Sequence, residues 1–137
     1  MSRQIFVNLP VKDLGRARAF FTEIGFTINE QFSDDNAASV VIEENITVML
    51  LTEPFFRTFT KKDLADTARS TEAILALSAD SREDVDALAD RALAAGGKPS
   101  NEPTDHGFMY GRSFQDPDGH LWEVMWMDPS AMGGQEG

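Results

Sequence analysis

The sequence contains no cysteine. Disulfide bonds, thiolate metal ligands and nucleophilic thiols are therefore excluded, and the chain suits a reducing compartment. Basic residues are scarce as well: 12 lysines and arginines stand against 23 aspartates and glutamates, which gives a net charge of −11. A protein this acidic repels the phosphate backbone of DNA and RNA, so we expect no nucleic-acid partner.

Long apolar segments are also missing. No apolar run approaches the roughly 18 residues that a membrane-spanning helix requires, and no basic leader precedes an apolar core at the start of the sequence. These absences predict a cytoplasmic protein without a membrane partner. The 137 residues, of which 42% are hydrophobic, suit a single domain, because a chain of this length buries roughly two-thirds of its unfolded surface.

The pattern of residues 4–52 predicts a first module with the order β-α-β-β-β. Asp13 is a suitable N-cap for a helix whose apolar residues recur every three or four positions, and Gly25 ends that helix. Pro10 is expected to end the first strand. The predicted strands of this module are residues 4–9, 26–32, 38–43 and 46–52.

Residues 72–127 repeat this order as a second module. Ser81, with Asp84 three residues later, opens the helix, and Gly96-Gly97 closes it. The predicted strands are residues 72–79, 98–102, 108–115 and 121–127. The shared order of elements indicates a duplicated unit, and the alternative is an ordinary α+β sandwich in which the order is coincidental.

The segment between the modules, residues 53–71, is predicted to be a connector. Thr60 and Asp63 form a capping signal for a short helix that runs through about residue 68. The connector also carries three aromatic side chains: Phe55, Phe56 and Phe59. It is therefore too apolar for a solvated linker, and it either covers a cavity as a flap or packs at a subunit contact.

Together these elements predict an α+β fold. One module leaves a face of its sheet exposed, so two modules must pair to bury it. We expect paired β-α-β-β-β modules that form a curved, mostly antiparallel eight-stranded sheet around a cleft, within one domain that spans residues 1–137. Residues 128–137 are expected to be a flexible tail.

The last two predicted strands are joined by Asp116-Pro117-Asp118-Gly119, whose residue types suit a type I turn. After this turn, Glu123 shares a strand face with Leu121 and Met125, because side chains two apart point the same way. A carboxylate on an apolar face needs a partner. The sequence leaves two interpretations open: an ion pair with Arg112 on the preceding strand, or a contact with a ligand.

Further polar residues occur in apolar surroundings. Arg112 shares a strand face with Tyr110, and it either clamps an anionic group of a small molecule or pairs with Glu123. Asn8 either binds a ligand or caps a neighbouring backbone group. His106 lies in a loop, where it either acts as a base near neutral pH or has no task.

The sequence resembles the vicinal oxygen chelate superfamily, which includes glyoxalase I, bleomycin-resistance proteins, extradiol dioxygenases and fosfomycin-resistance thiol transferases. The resemblance covers nearly the whole chain, and small bacterial members labelled glyoxalase or dioxygenase relatives are the most similar. It implies the paired-module fold, a homodimer and a small-molecule ligand. The segments that carry it are residues 8–14, 19–21, 24–26, 76–78, 94–97 and 116–123.

Metal-dependent members of that superfamily take ligands from four strand positions, and the resemblance places only one suitable donor here, Glu123. The other three positions fall on Phe6, on or beside Leu50, and on Ile74, whose side chains offer no lone pair to a cation. His120 lies three residues from Glu123, so in a strand the two point to opposite faces. We therefore expect no metal and no cofactor.

These observations favour a small-molecule-binding protein of this superfamily that lacks an intact metal site. The expected ligand contacts are Asn8, His106, Tyr110, Arg112 and Glu123, and no catalytic residue is assigned. The alternative is an enzyme, either a glyoxalase-like lyase or isomerase or an extradiol-type dioxygenase. A third possibility is a metal-free enzyme in which Glu123 or His106 transfers a proton.

Overall fold

The computed structural model describes residues 3–130, and the chain forms two compact units that meet between Ser70 and Thr71. Modules 4–52 and 72–127 fall one in each unit. Each unit contains one long helix and one sheet; the elements follow the order β-α-β-β-β, with one additional short strand, β7, in the C-terminal unit. Most of the tail predicted at 128–137, from residue 131 onward, lies outside the described residues.

The N-terminal unit is a four-stranded sheet with the order β1-β4-β3-β2, in which β1 and β4 are parallel and the other pairs antiparallel. Its strands are β1 Ile5–Val11, β2 Thr27–Asn29, β3 Ala37–Glu43 and β4 Ile46–Thr52. Helix α1, Leu14–Glu23, packs on β3 and β4. The Asp13 side chain accepts a hydrogen bond from Arg16 N at 3.0 Å, which confirms the predicted N-cap.

Two predicted strands of this unit differ from the structure. Pro10 does not end β1, which continues to Val11; β1 is an edge strand, where a residue without an N–H group is tolerated. The strand predicted at 26–32 is short, because a 3₁₀-helix follows it at Glu30–Phe32. The Asn29 side chain accepts a hydrogen bond from Gln31 N at 3.1 Å and so favours this turn over an extended chain.

The C-terminal unit is a five-stranded sheet with the order β5-β9-β8-β6, and β7 also pairs with β8. Its strands are β5 Ile74–Ser78, β6 Lys98–Pro99, β7 Thr104–Asp105, β8 Met109–Gln115 and β9 Leu121–Met127. Helix α3, Arg82–Ala94, begins at the predicted cap Ser81, whose hydroxyl accepts from Asp84 N at 3.1 Å. Its buried residues Val85 and Ala89 form a core with Val124 of β9.

The connector contains helix α2, Glu53–Phe56, and a 3₁₀-helix, Arg57–Phe59. The helix predicted from Thr60 to residue 68 is therefore wrong in position. Pro54 suits the first turn of a helix, whereas the Thr60 hydroxyl accepts a hydrogen bond from Lys62 N at 3.1 Å and forms a local turn instead. The rings of Phe55 and Phe59 meet edge to face, with centroids 5.2 Å apart. That the connector covers a cavity as a flap or packs at a subunit contact remains a prediction.

The predicted α+β class and the β-α-β-β-β order are confirmed. The described strands number nine, in sheets of four and five, because the short strand β7 adds to the eight that were expected. The predicted helices of the two modules are present, together with the short α2 of the connector. Across residues 3–130, no helix has the length and apolar character that crossing a membrane demands.

Candidate functional site

The hairpin between β8 and β9 is held by a buried carboxylate. Oδ1 of Asp116 accepts hydrogen bonds from the backbone N–H groups of Asp118 and His120, each at 3.0 Å, and Oδ2 accepts one from Trp122 Nε1 at 3.0 Å. Gly119 N donates to Asp116 O at 2.9 Å, which confirms the type I turn. Burial raises the pKa of Asp116, and the nearby His120 and the three donors oppose that rise.

The length of this loop decides which residues face each other across the hairpin. Gly119 has a φ of 85°, and Asp116 N donates to His120 O at 3.0 Å. The loop is thus a type I turn followed by a glycine in the left-handed region, a three-residue connection rather than a two-residue one. As a result, Glu123 stands opposite Ser113, whereas Arg112 stands opposite Val124.

The sheet of the C-terminal unit has a helix-covered face and an open face. Trp122, Val124 and Trp126 of β9 lie on the covered side, and Val124 and Trp126 pack in the core beneath α3, as their alternation predicts. Glu123 alternates with them and lies on the open face with Leu121 and Met125. The predicted apolar surroundings of Glu123 are therefore present in the structure.

A cavity of about 250 Å³ lies on this open face, within the C-terminal unit. Glu123 and Met125 of β9 line it together with Met109 and Gly111 of β8. The opposite wall is the segment that contains β7. The complete lining is Asn101, Glu102, Thr104, Met109, Gly111, Arg112, Ser113, Glu123 and Met125.

Glu123 is partly buried, and its carboxylate has no hydrogen-bond or ion-pair partner among residues 3–130. Its neighbours across the sheet are Ala76 and Ser113. The Ser113 hydroxyl accepts from Asn101 N at 2.7 Å and donates to Asn101 O at 3.2 Å, so it is already occupied. A partly buried carboxylate without a protein partner among the described residues is a group that a ligand can satisfy.

Arg112 and Tyr110 do not meet Glu123, because their side chains point to the helix-covered face. The Arg112 guanidinium binds Asp86 Oδ1 at 3.0 Å and Asp90 Oδ1 at 2.9 Å, both on α3. The Tyr110 hydroxyl donates to the same Asp86 oxygen at 2.6 Å. The pairing of Arg112 with Glu123 that the sequence left open is therefore wrong, and both side chains are engaged by α3.

Arg82 was not identified from the sequence, although it fixes one wall of the cavity. Its guanidinium binds both oxygens of Asp105, at 2.7 and 3.1 Å, and donates to Gly107 O at 3.1 Å. It also lies over the rings of Tyr110, at 5.0 Å, and Trp126, at 5.4 Å. Arg82 thus connects β7 to the start of α3, and its guanidinium group lies over two aromatic rings.

We expect this contact to be visible in the titration of Asp105. Its hydrogen bonds from Arg82, and then from Gly107 N, lower the pKa of Asp105 from 3.8 to about 2. In Arg82→Met that pKa should rise toward 3.8, measured by NMR of the side-chain carboxyl carbon, whereas Arg57→Met, an exposed change of equal charge, should leave it near 2. An unchanged pKa in Arg82→Met would contradict the assigned contact.

The sign of the corresponding pH dependence follows from the lowered pKa. The folded state binds the Asp105 proton less tightly than the unfolded chain does. The stabilising contribution is therefore present above the unfolded pKa and is lost as the pH falls through the folded pKa. The protection factors of the β7 amides, which correct for the intrinsic pH dependence of exchange, should fall over that acidic range and should show no such step in Arg82→Met.

The remaining candidates lie elsewhere. Asn8 is in β1 of the N-terminal unit, where it is exposed on the same strand face as Phe6 and stands opposite Met49. His106 is in the loop after β7, as expected; its ring is exposed, stacks on Phe108 at 6.2 Å and does not line the cavity described above. The structure thus does not bring His106 to the cavity that Glu123 lines, and Asn8 belongs to the N-terminal unit.

The residues at the superfamily's metal positions do not fit a metal ion. Phe6 and Ile74 are 56% and 52% exposed, and neither has a donor atom. Leu50 is buried against the helix side of its sheet, and its neighbours Met49 and Leu51 supply no oxygen or nitrogen donor. Across residues 3–130, no cluster of three or more histidine, cysteine or acidic side chains is placed to hold a metal ion.

His120 supplies no ligand either, because its side chain is buried and its Nδ1 lies 2.8 Å from Glu72 Oε2. It precedes β9 and points away from the cavity that Glu123 faces. This placement agrees with the expectation that the side chains of His120 and Glu123 do not converge on one metal ion.

Comparison with known proteins identifies the family. Residues 3–124 match the family model of the Glyoxalase/Bleomycin resistance protein/Dioxygenase superfamily. The chain belongs to this superfamily. Among curated proteins, none matches the sequence significantly.

Solved structures agree with the superfamily fold. A hypothetical protein from S. aureus is 28% identical, with a TM-score of 0.77 over 92% of this chain and 94% of that one. A family enzyme from Burkholderia phytofirmans is 17% identical, with a TM-score of 0.75 over 92% and 99%. An antibiotic-binding protein from a Streptomyces species is 20% identical, with a TM-score of 0.65 over 93% and 97%.

Proposed function

We propose that this superfamily member is a small-molecule-binding protein that works without a metal ion. The observation that carries the proposal is the carboxylate of Glu123, which has no protein partner among residues 3–130 and faces a cavity of about 250 Å³. Small-molecule sites are concave and mostly apolar, with a few polar groups that orient the ligand. The two methionines Met109 and Met125 supply an adaptable apolar surface beside that carboxylate.

The residues proposed to contact the ligand directly are therefore Glu123 and the side chains that share its cavity. Tyr110 and Arg112, which are bound to α3, act indirectly by supporting β8. Asn8, in the N-terminal unit, and His106, in the loop after β7, are also proposed as ligand contacts. The similar structure from a Streptomyces species is that of an antibiotic-binding protein, which supports a binding role for this fold.

The competing function is a metal-dependent lyase, isomerase or dioxygenase. Such enzymes use a metal ion to polarise or deprotonate the substrate. In this chain Glu123 is the only suitable donor at the superfamily's four ligand positions, so we propose no step through a metal. The residues at these four positions therefore do not suit the metal-dependent reactions of the superfamily.

Metal analysis separates these two functions. We expect the purified protein to contain well under one Zn, Ni or Fe per chain, and its melting temperature to be unchanged by a chelator or by added Zn²⁺. A structural metal bound only to the folded state would raise the melting temperature. Elemental analysis that finds one transition metal per chain, removable with a loss of thermal stability, would refute the proposal.

Replacement of Glu123 tests the site itself. A panel of small aromatics, amines, 2-oxo acids and thiol conjugates would be screened for compounds that raise the melting temperature. For such a compound, Glu123→Gln should weaken binding by about tenfold, because a charge-assisted hydrogen bond contributes roughly 1.5–3 kcal/mol. The melting temperature of the free protein should change little.

The control is Glu44→Gln, which makes the same charge change in an exposed turn of the N-terminal unit. It should leave binding unchanged. A Glu123→Gln protein that binds normally but melts much earlier would show that Glu123 has a structural role instead.

We also propose that the protein is a cytoplasmic homodimer. The superfamily resemblance and the sheet faces that carry exposed Phe6 and Ile74 support a second copy as partner. Light scattering of the purified protein would measure its mass, and a monomer at micromolar concentration would contradict the dimer.

A further inference from the structure

The cavity on the open face of the C-terminal unit carries negative charge that no lining side chain balances. Glu102 and Glu123 both line it. Glu102 is exposed and Glu123 is partly buried, and neither carboxylate has a partner among the described residues. The chain as a whole has a net charge of −11, so the surrounding field has the same sign.

Arg112 is the one basic residue among those lining the cavity, and its charge is already neutralised. Its side chain is 19% exposed, and its guanidinium binds Asp86 and Asp90, 3.0 and 2.9 Å away, on the helix-covered side of β8. A ligand in the cavity therefore meets the backbone of Arg112 and not its charge. An anionic ligand would have no cation to bind and two carboxylates to repel it.

The neutral polar residues Asn101, Thr104 and Ser113 also line the cavity, but they carry no charge and so do not change this balance. The Ser113 hydroxyl is occupied on both sides by the backbone of Asn101. The rest of the sheet floor is apolar, because Met109 and Met125 flank Gly111. The cavity therefore combines free hydrogen-bond acceptors with a soft apolar surface.

We propose that the ligand of this cavity is a small organic cation, an amine with a short apolar body. The ammonium group binds Glu123 and Glu102, and the apolar body packs on the two methionines. This inference rests on the proposed function, since it names the ligand class of the same site. At about 250 Å³ the cavity lies near the lower end of ligand pockets, so the bound portion is small.

Three probes of nearly equal shape test the charge preference: phenethylammonium, 2-phenylethanol and 3-phenylpropanoate. Calorimetry at low salt should show that phenethylammonium binds about tenfold or more tightly than the alcohol, because an ionised donor strengthens the hydrogen bond to a carboxylate. The carboxylate probe should bind more weakly than the alcohol. Higher salt should weaken the binding of phenethylammonium and leave the binding of 2-phenylethanol unchanged.

Charge variants locate the effect. Glu102→Gln and Glu123→Gln should each reduce phenethylammonium binding severalfold and leave 2-phenylethanol nearly unchanged. Glu44→Gln, which makes the same change of net charge far from the cavity in sequence, should reduce neither. Equal losses in all three variants would mean that only the overall field matters, and this would overturn the site-specific proposal.

The outcomes separate this inference from the proposed function. If the alcohol or the carboxylate binds as tightly as the ammonium, and Met125→Ala weakens that binding, the ligand class is wrong but the binding site stands. If none of the three probes binds, the inference is overturned, and the screen and the metal analysis still decide the function.

Discussion

Asp116→Ala is expected to lower the free energy of unfolding by about 3 kcal/mol or more. The substitution removes the oxygen atoms that accept hydrogen bonds from three donors: the N–H groups of Asp118 and His120 and the indole N–H of Trp122. A buried donor left unsatisfied costs roughly 1–3 kcal/mol, and the costs at one site do not add fully. Trp122 is 1% exposed, so water cannot replace the lost acceptor without disturbing the core.

Thermal and denaturant unfolding measure this effect. For a chain of this size the melting temperature should fall by about 10 °C. Asp116→Asn should cost less, because its Oδ1 keeps two backbone bonds while its NH₂ group faces the indole N–H. Asp35→Asn, in an exposed turn, is the control and should change stability by less than about 0.5 kcal/mol. Near-normal stability of Asp116→Ala would show that this network does not hold the hairpin.

Asp116 also predicts a pH dependence of opposite sign to that of Asp105. Burial raises the pKa of Asp116, so the folded state holds this proton more tightly than the unfolded chain. Its contribution therefore favours folding below the unfolded pKa and is lost as the pH rises through the folded pKa. In the unmodified protein this contribution to the free energy of unfolding should decline as the pH rises. Asp116→Asn should lack the decline when its stability is compared with that of the unmodified protein across the acidic range.

Gly111→Val is expected to abolish ligand binding. A Cβ atom at Gly111 would lie 3.0 Å from Met125 Cγ, and Gly111 lines the cavity on the same face as Glu123. A branched side chain there must displace Met125 and enter the space that a ligand occupies. Because such overpacking costs about 1–3 kcal/mol, the variant should still fold.

A compensating substitution distinguishes a filled cavity from a damaged fold. Met125→Ala removes the atom that the new side chain meets. The double variant Gly111→Val with Met125→Ala should recover part of the binding, and its coupling energy should be measurable in a double-mutant cycle. Normal ligand affinity in Gly111→Val would show that the ligand does not use this cavity.

The course of the hairpin shows why the sequence misplaced Arg112. A two-residue turn over Asp116–Gly119 would place Arg112 opposite Glu123, which is the pairing that the sequence left open. One further residue, Gly119, enters the loop and moves the register by one, and a shift of one residue sends every side chain to the other face. The glycine after Pro117-Asp118 is the sequence signal for this longer loop.

Other site residues had no signal in the sequence. Arg82 and Asp105 are 23 positions apart, and they meet because α3 packs over β8 while β7 adds to the same strand. A two-residue strand such as β7 has no periodicity to detect. Asp86 and Asp90 resemble ordinary solvent-facing helix residues until the packing brings Arg112 and Tyr110 to them.

The sequence alone determined the module order, the caps at Asp13 and Ser81, the turn at Asp116 and the absence of donors at Phe6 and Ile74. These features depend on residues that are neighbours in the sequence or on the chemistry of single side chains, and the sequence contains both kinds of information. The tertiary structure decided that Glu123 faces a cavity without a partner, because cross-strand register and helix packing join residues that are distant in the chain.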